Sequence, residues 1–308
     1  MTKTVVCRRE GFTLVEAIVS IAVVGLLVAL LFPAIQSARS TARRTVCQNH
    51  LRQVGVALGN SCEVSGVYPT TAAKGAPVRR LLPYLDAKSL ADDLDAGRTP
   101  ASYLVPVLAC PDDAEVAKSM PYGGNSSYYY NAGVMFRAYD GFCKSFQDDL
   151  SPADIHDGQS QTVAMSERLV FPADMEPAHI RESKPRRYFW WTRAKHGPGE
   201  EALAVEECLS HRATTTPQFY GIQTWGYLGD ARYNHLLPPN RPACYNGPES
   251  TAPPQIDLFV VSASSLHPQG VNSLFADGSV HFMSDLIDGA VWKAVGTRAG
   301  RELTTVNF

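Results

Sequence analysis

The sequence has almost no charge of one sign to spare. Its 28 Lys and Arg stand against 30 Asp and Glu, a formal net charge of -2 over 308 residues. Without a basic block there is no electrostatic footprint for nucleic acid, and that class of partner is set aside. Also missing are G-x-S-x-G, H-E-x-x-H, a Walker A loop and G-x-G-x-x-G, so no compact catalytic signature points to an enzyme. No EF-hand spacing occurs. There is no internal repeat of fixed period, and the 7 cysteines include no C-x-x-C pair. What remains, 45% apolar and 19% charged, is the composition of a globular chain with room for a substantial core.

Long apolar runs are scarce too, with one exception inside "REGFTLVEAIVSIAVVGLLVALLFPAIQSARSTARR" (9–44). Residues 12–32 contain no Lys, Arg, Asp or Pro and a single acid, Glu16. At about 1.5 Å per residue, a helix of that length spans a hydrocarbon layer of roughly 30 Å. The basic residues on its two sides balance, Lys3, Arg8 and Arg9 against Arg39, Arg43 and Arg44, so the positive-inside rule assigns no orientation. Glu16 is the anomaly, because a carboxylate in hydrocarbon is costly unless something compensates it.

A secretory signal has a shorter apolar region followed by a small-residue cleavage site; this run is instead preceded by Gly11 and, before that, by basic residues. "GFTLVE" (11–16) resembles the cleavage and methylation signal of type IV prepilins and type II secretion pseudopilins. The resemblance implies that a prepilin peptidase cuts after Gly11 and methylates Phe12 as the new terminus. It also implies that Glu16 meets the terminal amine of a neighbouring pilin-like subunit during assembly. The new amine is a cation at nearly the same depth as Glu16, and opposite charges attract strongly in a low dielectric. Because residues 12 and 16 share a helix face, an intrachain contact is the other option.

Past the span, Pro33 predicts a bend in the helix. Ala34, Ala38, Ala42, Val46, Leu51, Val54 and Leu58 recur near helical spacing and form an expected stripe against a head. Arg39, Arg43, Arg44 and Arg52 fall elsewhere, as a solvated face or a lipid-headgroup contact. Six cysteines follow the span, Cys47, Cys62, Cys110, Cys143, Cys208 and Cys244, an even and scattered set that suits disulfides better than a zinc site. Cys47 and Cys62 would sit about 22 Å apart on one helix, beyond disulfide reach. At least one of them is expected to tie the helix to the head, with Cys110 a candidate partner.

From about residue 67, short apolar pieces separated by Gly, Pro, Asn and Asp favour strands and loops. The sequence predicts a short helix at 88–97 and strands at 161–171, 186–194 and 256–264, with a proline-rich loop at 236–254. Asp277-Gly278 predicts a two-residue type I′ hairpin that pairs Phe275 with Val280 and Ser273 with Phe282. His267 and Asp277-Gly278 together form an H-x9-DG pattern. That pattern, with "ARRTVCQNHLRQVGVAL", "CPDD" (110–113), "NSSYYYNAG" (125–133), "DGQSQTVAMSER" (157–168) and "VGTRAGRE" (295–302), resembles the DUF1559 family of planctomycete type. Gln269 stands where glycine is usual in that family's "HPGG" version, and "DGQSQT" replaces the commoner "DGTSNT".

His267 and Asp277 are weak metal candidates, and Asp112, Asp113 and Asp157 a weak calcium set. The structural alternative is that Asp277 caps its own turn while His267 fixes the loop before the hairpin; no cofactor is expected. Aromatics in 128–133, 186–191 and 218–227, notably Trp190, Trp191 and Trp225, are either core or an exposed binding platform. The expectation is an α+β, pilin-like chain: a leader at 1–11, a transmembrane helix at 12–35 and its extracytoplasmic continuation at 36–62. A head at 63–308 follows, built on an antiparallel sheet with long loops and lying outside the cytoplasmic membrane. Its expected work is non-enzymatic assembly into a pilus-like or secretion-like fibre. The alternative is a membrane-anchored extracytoplasmic binding protein, for a carbohydrate or protein ligand, that does not polymerise.

Overall fold

In the computed structural model the described residues are 13–71, 77–98, 104–117, 126–136, 139–144, 147–170, 186–187, 189–210, 215–216, 232–247 and 259–301. The chain divides into two compact units, Met1–Arg43 and Arg44–Phe308. One helix, α1 (Leu14–Ser65), contributes residues to both and runs through Pro33 without ending there. In the first unit almost every side chain of 14–32 is exposed, including Leu14, Ile21 and Phe32. An apolar surface all the way round a helix calls for lipid or partner helices, and α1 is long and apolar enough to cross a membrane.

Among the described residues the second unit adds four short α-helices, α2 (Pro77–Leu81), α3 (Lys88–Asp95), α4 (Glu201–Ser210) and α5 (Gly289–Ala294). Its strands are β1 (Tyr128–Asn131), β2 (Val163–Glu167), β3 (Phe189–Trp191), β4 (Thr215–Thr216), β5 (Arg232–Tyr233), β6 (Ala243–Tyr245), β7 (Gly270–Phe275) and β8 (Val280–Ser284). Among the described residues, a five-stranded sheet runs β5-β1-β2-β7-β8 and a three-stranded one β4-β3-β6. The larger sheet is antiparallel except where β5 joins β1 in parallel. The fold is therefore α+β, with a long N-terminal helix and a mixed rather than purely antiparallel sheet.

Both faces of the larger sheet are buried, and that explains its sequence. Leu51, Val54 and Leu58 of α1 pack with Tyr128, Tyr130, Met165 and Leu274 on one side. Tyr129, Val163, Val271, Phe275 and Met283 face the other way, into a core with Trp191, Tyr245 and Trp292. Ala164 and Met165 join the same cluster although they are neighbours, because a bulge shifts the register between Val163 and Met165. α1 approaches β7 closely at Gly55, where a Cβ would come within 2.8 Å of Leu274 Cδ1 and 3.3 Å of Gly278 Cα. The helical stripe itself differs from expectation. Val46 is exposed and Cys47 takes the buried place, while Ala34, Ala38 and Ala42 are exposed.

The hairpin also departs from its expected register. Leu274 pairs with Val280, Ser273 with His281 and Asn272 with Phe282. Phe275 N–H donates to Ser279 O at 2.8 Å and Gly278 N–H to Phe275 O at 3.0 Å, which closes a three-residue loop. Only Gly278 has positive φ, at 87°. This is a type I turn followed by a left-handed glycine, the other loop that an Asp-Gly pair can build. The expected strand at 256–264 is reduced to an isolated bridge between Val260 and Cys244, with 256–258 outside the described residues. Cys47–Cys110 and Cys208–Cys244 are disulfides, whereas the candidates Cys62 and Cys143 are thiols. The first bond ties α1 to the head and the second ties α4 to β6.

One buried histidine makes this core sensitive to acid. The His235 ring stacks 3.9 Å from Trp292, its Nδ1 lies 2.7 Å from Trp292 O and its Nε2 2.8 Å from Tyr233 Oη. Burial lowers its pKa from 6.5 to about 3, against the opposite pull of the Trp292 carbonyl. Below 6.5 the unfolded chain therefore binds more protons than the folded one, so this contribution to stability is whole above 6.5 and is lost as pH falls toward about 3. His235→Gln, which does not titrate, is expected to flatten the decline of Tm over that window. Parallel declines in the two proteins would refute the assignment.

Candidate functional sites

Among the described residues, two places have chemistry beyond packing. The first is the start of α1. Thr13 Oγ1 accepts from the Glu16 backbone N–H at 3.3 Å, while Glu16 Oε2 accepts from the Thr13 N–H at 2.9 Å and its hydroxyl at 2.7 Å. This reciprocal pair is a capping box, which satisfies donors that a helix start leaves open. Thr13 and Glu16 thus compensate the carboxylate locally, and the pair lies wholly downstream of the Gly11–Phe12 bond. Gly11 and Phe12 lie outside the described residues.

The second is a buried cluster where four distant segments meet. His267 is fully buried. Its Nε2 lies 3.1 Å from Glu167 Oε1 and 3.5 Å from Cys110 Sγ, on the disulfide to Cys47. Its Nδ1 is 2.8 Å from Asp112 Oδ2, close enough for an ion pair although not aligned as a hydrogen bond. Glu167 is held in turn by Asn272, whose N–H donates to Oε2 at 2.8 Å and whose Nδ2 donates to Oε1 at 2.9 Å. Burial disfavours the charged ring, but Glu167 and then Asp112 outweigh burial and the nearby Arg44, so the His267 pKa is raised. A buried imidazole between two carboxylates, beside a disulfide, is what this arrangement holds. Beside it lies a small cavity lined in part by Cys110, Asp113, Ser127, Glu167 and Arg168.

The H-x9-DG pattern does not form a pair. Asp277 Oδ1 accepts from Ser279 N–H at 2.9 Å and from its hydroxyl at 2.7 Å, so it caps its own turn. His267 instead reaches Glu167 and Asp112, and it is positioned by its Ser265 neighbour, whose Oγ accepts from the His267 N–H at 3.1 Å. Gln269 has φ 68°, a left-handed conformation that glycine adopts at less cost than glutamine. The calcium candidates serve three different partners. Asp112 faces His267, Asp113 pairs with Arg187 at 2.8 Å, and Asp157 accepts from the Gly300 and Arg301 N–H groups at 2.7 and 2.8 Å. Trp190 and Trp191 are buried, which makes them core rather than a binding platform; Trp225 lies outside the described residues.

Glu167 and Asp112 as the partners of His267 were not foreseen. A signal for them did exist, since "ARRTVCQNH", "AMSER" and "HPQG" each contribute one member of the cluster and "CPDD" contributes two, Cys110 and Asp112. Asp157 joins "DGQSQT" to "VGTRAGRE" in the same way.

A prepilin-type helix carrying an α+β head is the class of protein that these features define. The chain belongs to the DUF1559 family: the family model, described as a protein of unknown function, matches residues 36–290. The prokaryotic N-terminal methylation motif matches residues 7–32, which implies prepilin-like processing and membrane association. No curated protein and no solved structure matches.

Proposed function

We propose that this is a pilin-like structural subunit. Prepilin peptidase removes residues 1–11 and methylates Phe12, the apolar part of α1 packs against the same helix of other subunits, and the head lies outside the cytoplasmic membrane. The observation that carries this reading is Glu16, the single charged residue of 14–32, placed in the first turn of α1 where nearly all side chains of that stretch are exposed. A plain membrane anchor needs only an acceptor there to cap the helix, whereas a subunit that must set its register against a neighbour's terminal amine also uses the charge. Two disulfides in the head fit an oxidising compartment. Assembly is non-covalent, and no catalysis is assigned to the head.

The test is the native terminus. Intact-mass and N-terminal analysis of protein made in a host with prepilin peptidase is expected to find a chain that begins at methylated Phe12. A chain that begins at Met1, or is trimmed beyond the apolar segment, would end the proposal.

A further inference from the structure

We propose that Cys47, Cys110, Glu167 and His267 form a site for a divalent transition metal of the zinc class when the two cysteines are reduced, and that the Cys47–Cys110 disulfide abolishes it. The proposal is independent of fibre assembly. One ligand atom from each of the four lies within 4.8 Å of the others, and all four residues are buried. Tetrahedral zinc, with bonds of about 2.0–2.3 Å, needs ligand atoms about 3.3–3.8 Å apart, so once the S–S bond is broken the two sulfurs move apart to that spacing while side-chain rotations of roughly 1 Å draw in the wider pairs. Two thiolates, an imidazole and a carboxylate form a donor set of intermediate softness that suits zinc better than calcium or magnesium.

The surroundings favour a ligand role over a chance cluster. His267 points Nε2 at Cys110 and Glu167 and leaves Nδ1 against the Asp112 carboxylate, the orientation that metal-bound histidines adopt. Asn272 holds Glu167 from both its backbone and its side chain, so Oε1 is fixed toward the centre. The four ligands come from α1, the 104–117 segment, the end of β2 and the loop before β7, which are well-packed parts of the head. Arg44, 4.6 Å above the Phe282 ring, is a nearby cation that offsets the surplus negative charge of the loaded site.

The two states exclude each other chemically. A dithiol reductant supplies two electrons to the S–S bond and two protons to the sulfurs, and is itself oxidised to a disulfide. Metal binding then releases both thiol protons and the proton on His267 Nε2. In the oxidised state neither sulfur is a thiolate, so two of the four ligands are missing and the centre is closed.

Co2+ is the probe, added under inert gas to full-length protein in detergent after phosphine reduction. Reduced protein is expected to bind one Co2+ with tetrahedral ligand-field bands and a thiolate charge-transfer band, and reoxidation to release it. The double variant Cys47→Ser with Cys110→Ser should lose these bands while its circular dichroism is kept, and Cys208→Ser with Cys244→Ser should retain them. Asp112→Asn, which leaves all four ligands in place, should weaken binding by about 10–100-fold; should the serine variant not fold, this measurement decides. Absence of the thiolate band in reduced protein, an unaltered band in the Cys47/Cys110 variant, or unchanged affinity in Asp112→Asn overturns the proposal.

Discussion

Glu16→Ala yields a chain that is still cut after Gly11 but enters fibres at least about tenfold less well, because the neighbour's terminal amine is left in hydrocarbon without its counter-charge. The capping box supplies a control that separates charge from helix initiation. Glu16→Gln keeps an oxygen that can accept from the Thr13 N–H, as Oε2 does at 2.9 Å, but carries no charge. If the register depends on charge, Gln fails like Ala; if it depends on the cap, Gln assembles normally. Thr13→Ala, which removes the hydroxyl but leaves the acid, should assemble. Processing is read from the mature mass and assembly from sheared fibres. Wild-type incorporation of Glu16→Ala would remove Glu16 from the mechanism.

Glu167→Ala should be the most damaging single change in the head. It removes the acceptor for His267 Nε2 and for both Asn272 donors in a fully buried place. Breaking one side of a buried charged network costs about 3–5 kcal/mol, roughly 10 °C in Tm for a domain of this size. Glu167→Gln keeps the shape and an acceptor, and should cost less. It also changes the pH response. In the wild type the raised pKa of His267 means that its stabilising contribution is whole below the ordinary histidine value and is lost as pH rises through the raised one. Without the Glu167 charge that alkaline loss should shrink. Thermal melts by circular dichroism from acid to alkaline pH check both points, and an unchanged Tm for Glu167→Ala would show that the network contributes little.

Local physics was legible because it is short-range. The span of α1 follows from an unbroken apolar run and the end of α3 from Gly97, whose φ is 67°. The strands at 163–167 and 189–191 lie inside the stretches expected of them. The Asp-Gly turn was legible as a turn but not as a register. Two loop lengths use the same dipeptide, and the choice between them came from burial on both faces of β7, against α1 on one side and the Trp191 and Trp292 core on the other.

Residues alone, then, determined the membrane-length helix, the lone acid within it and the family, because each is written in adjacent side chains or in short blocks. Tertiary structure decided the partners: Cys47 with Cys110 across 63 residues, His267 with Glu167 across 100, and the Asp277 carboxylate with Ser279 of its own turn. The physical reason is that a buried charge or thiol takes whichever complementary group the packed core brings to it, and sequence spacing carries no record of that meeting.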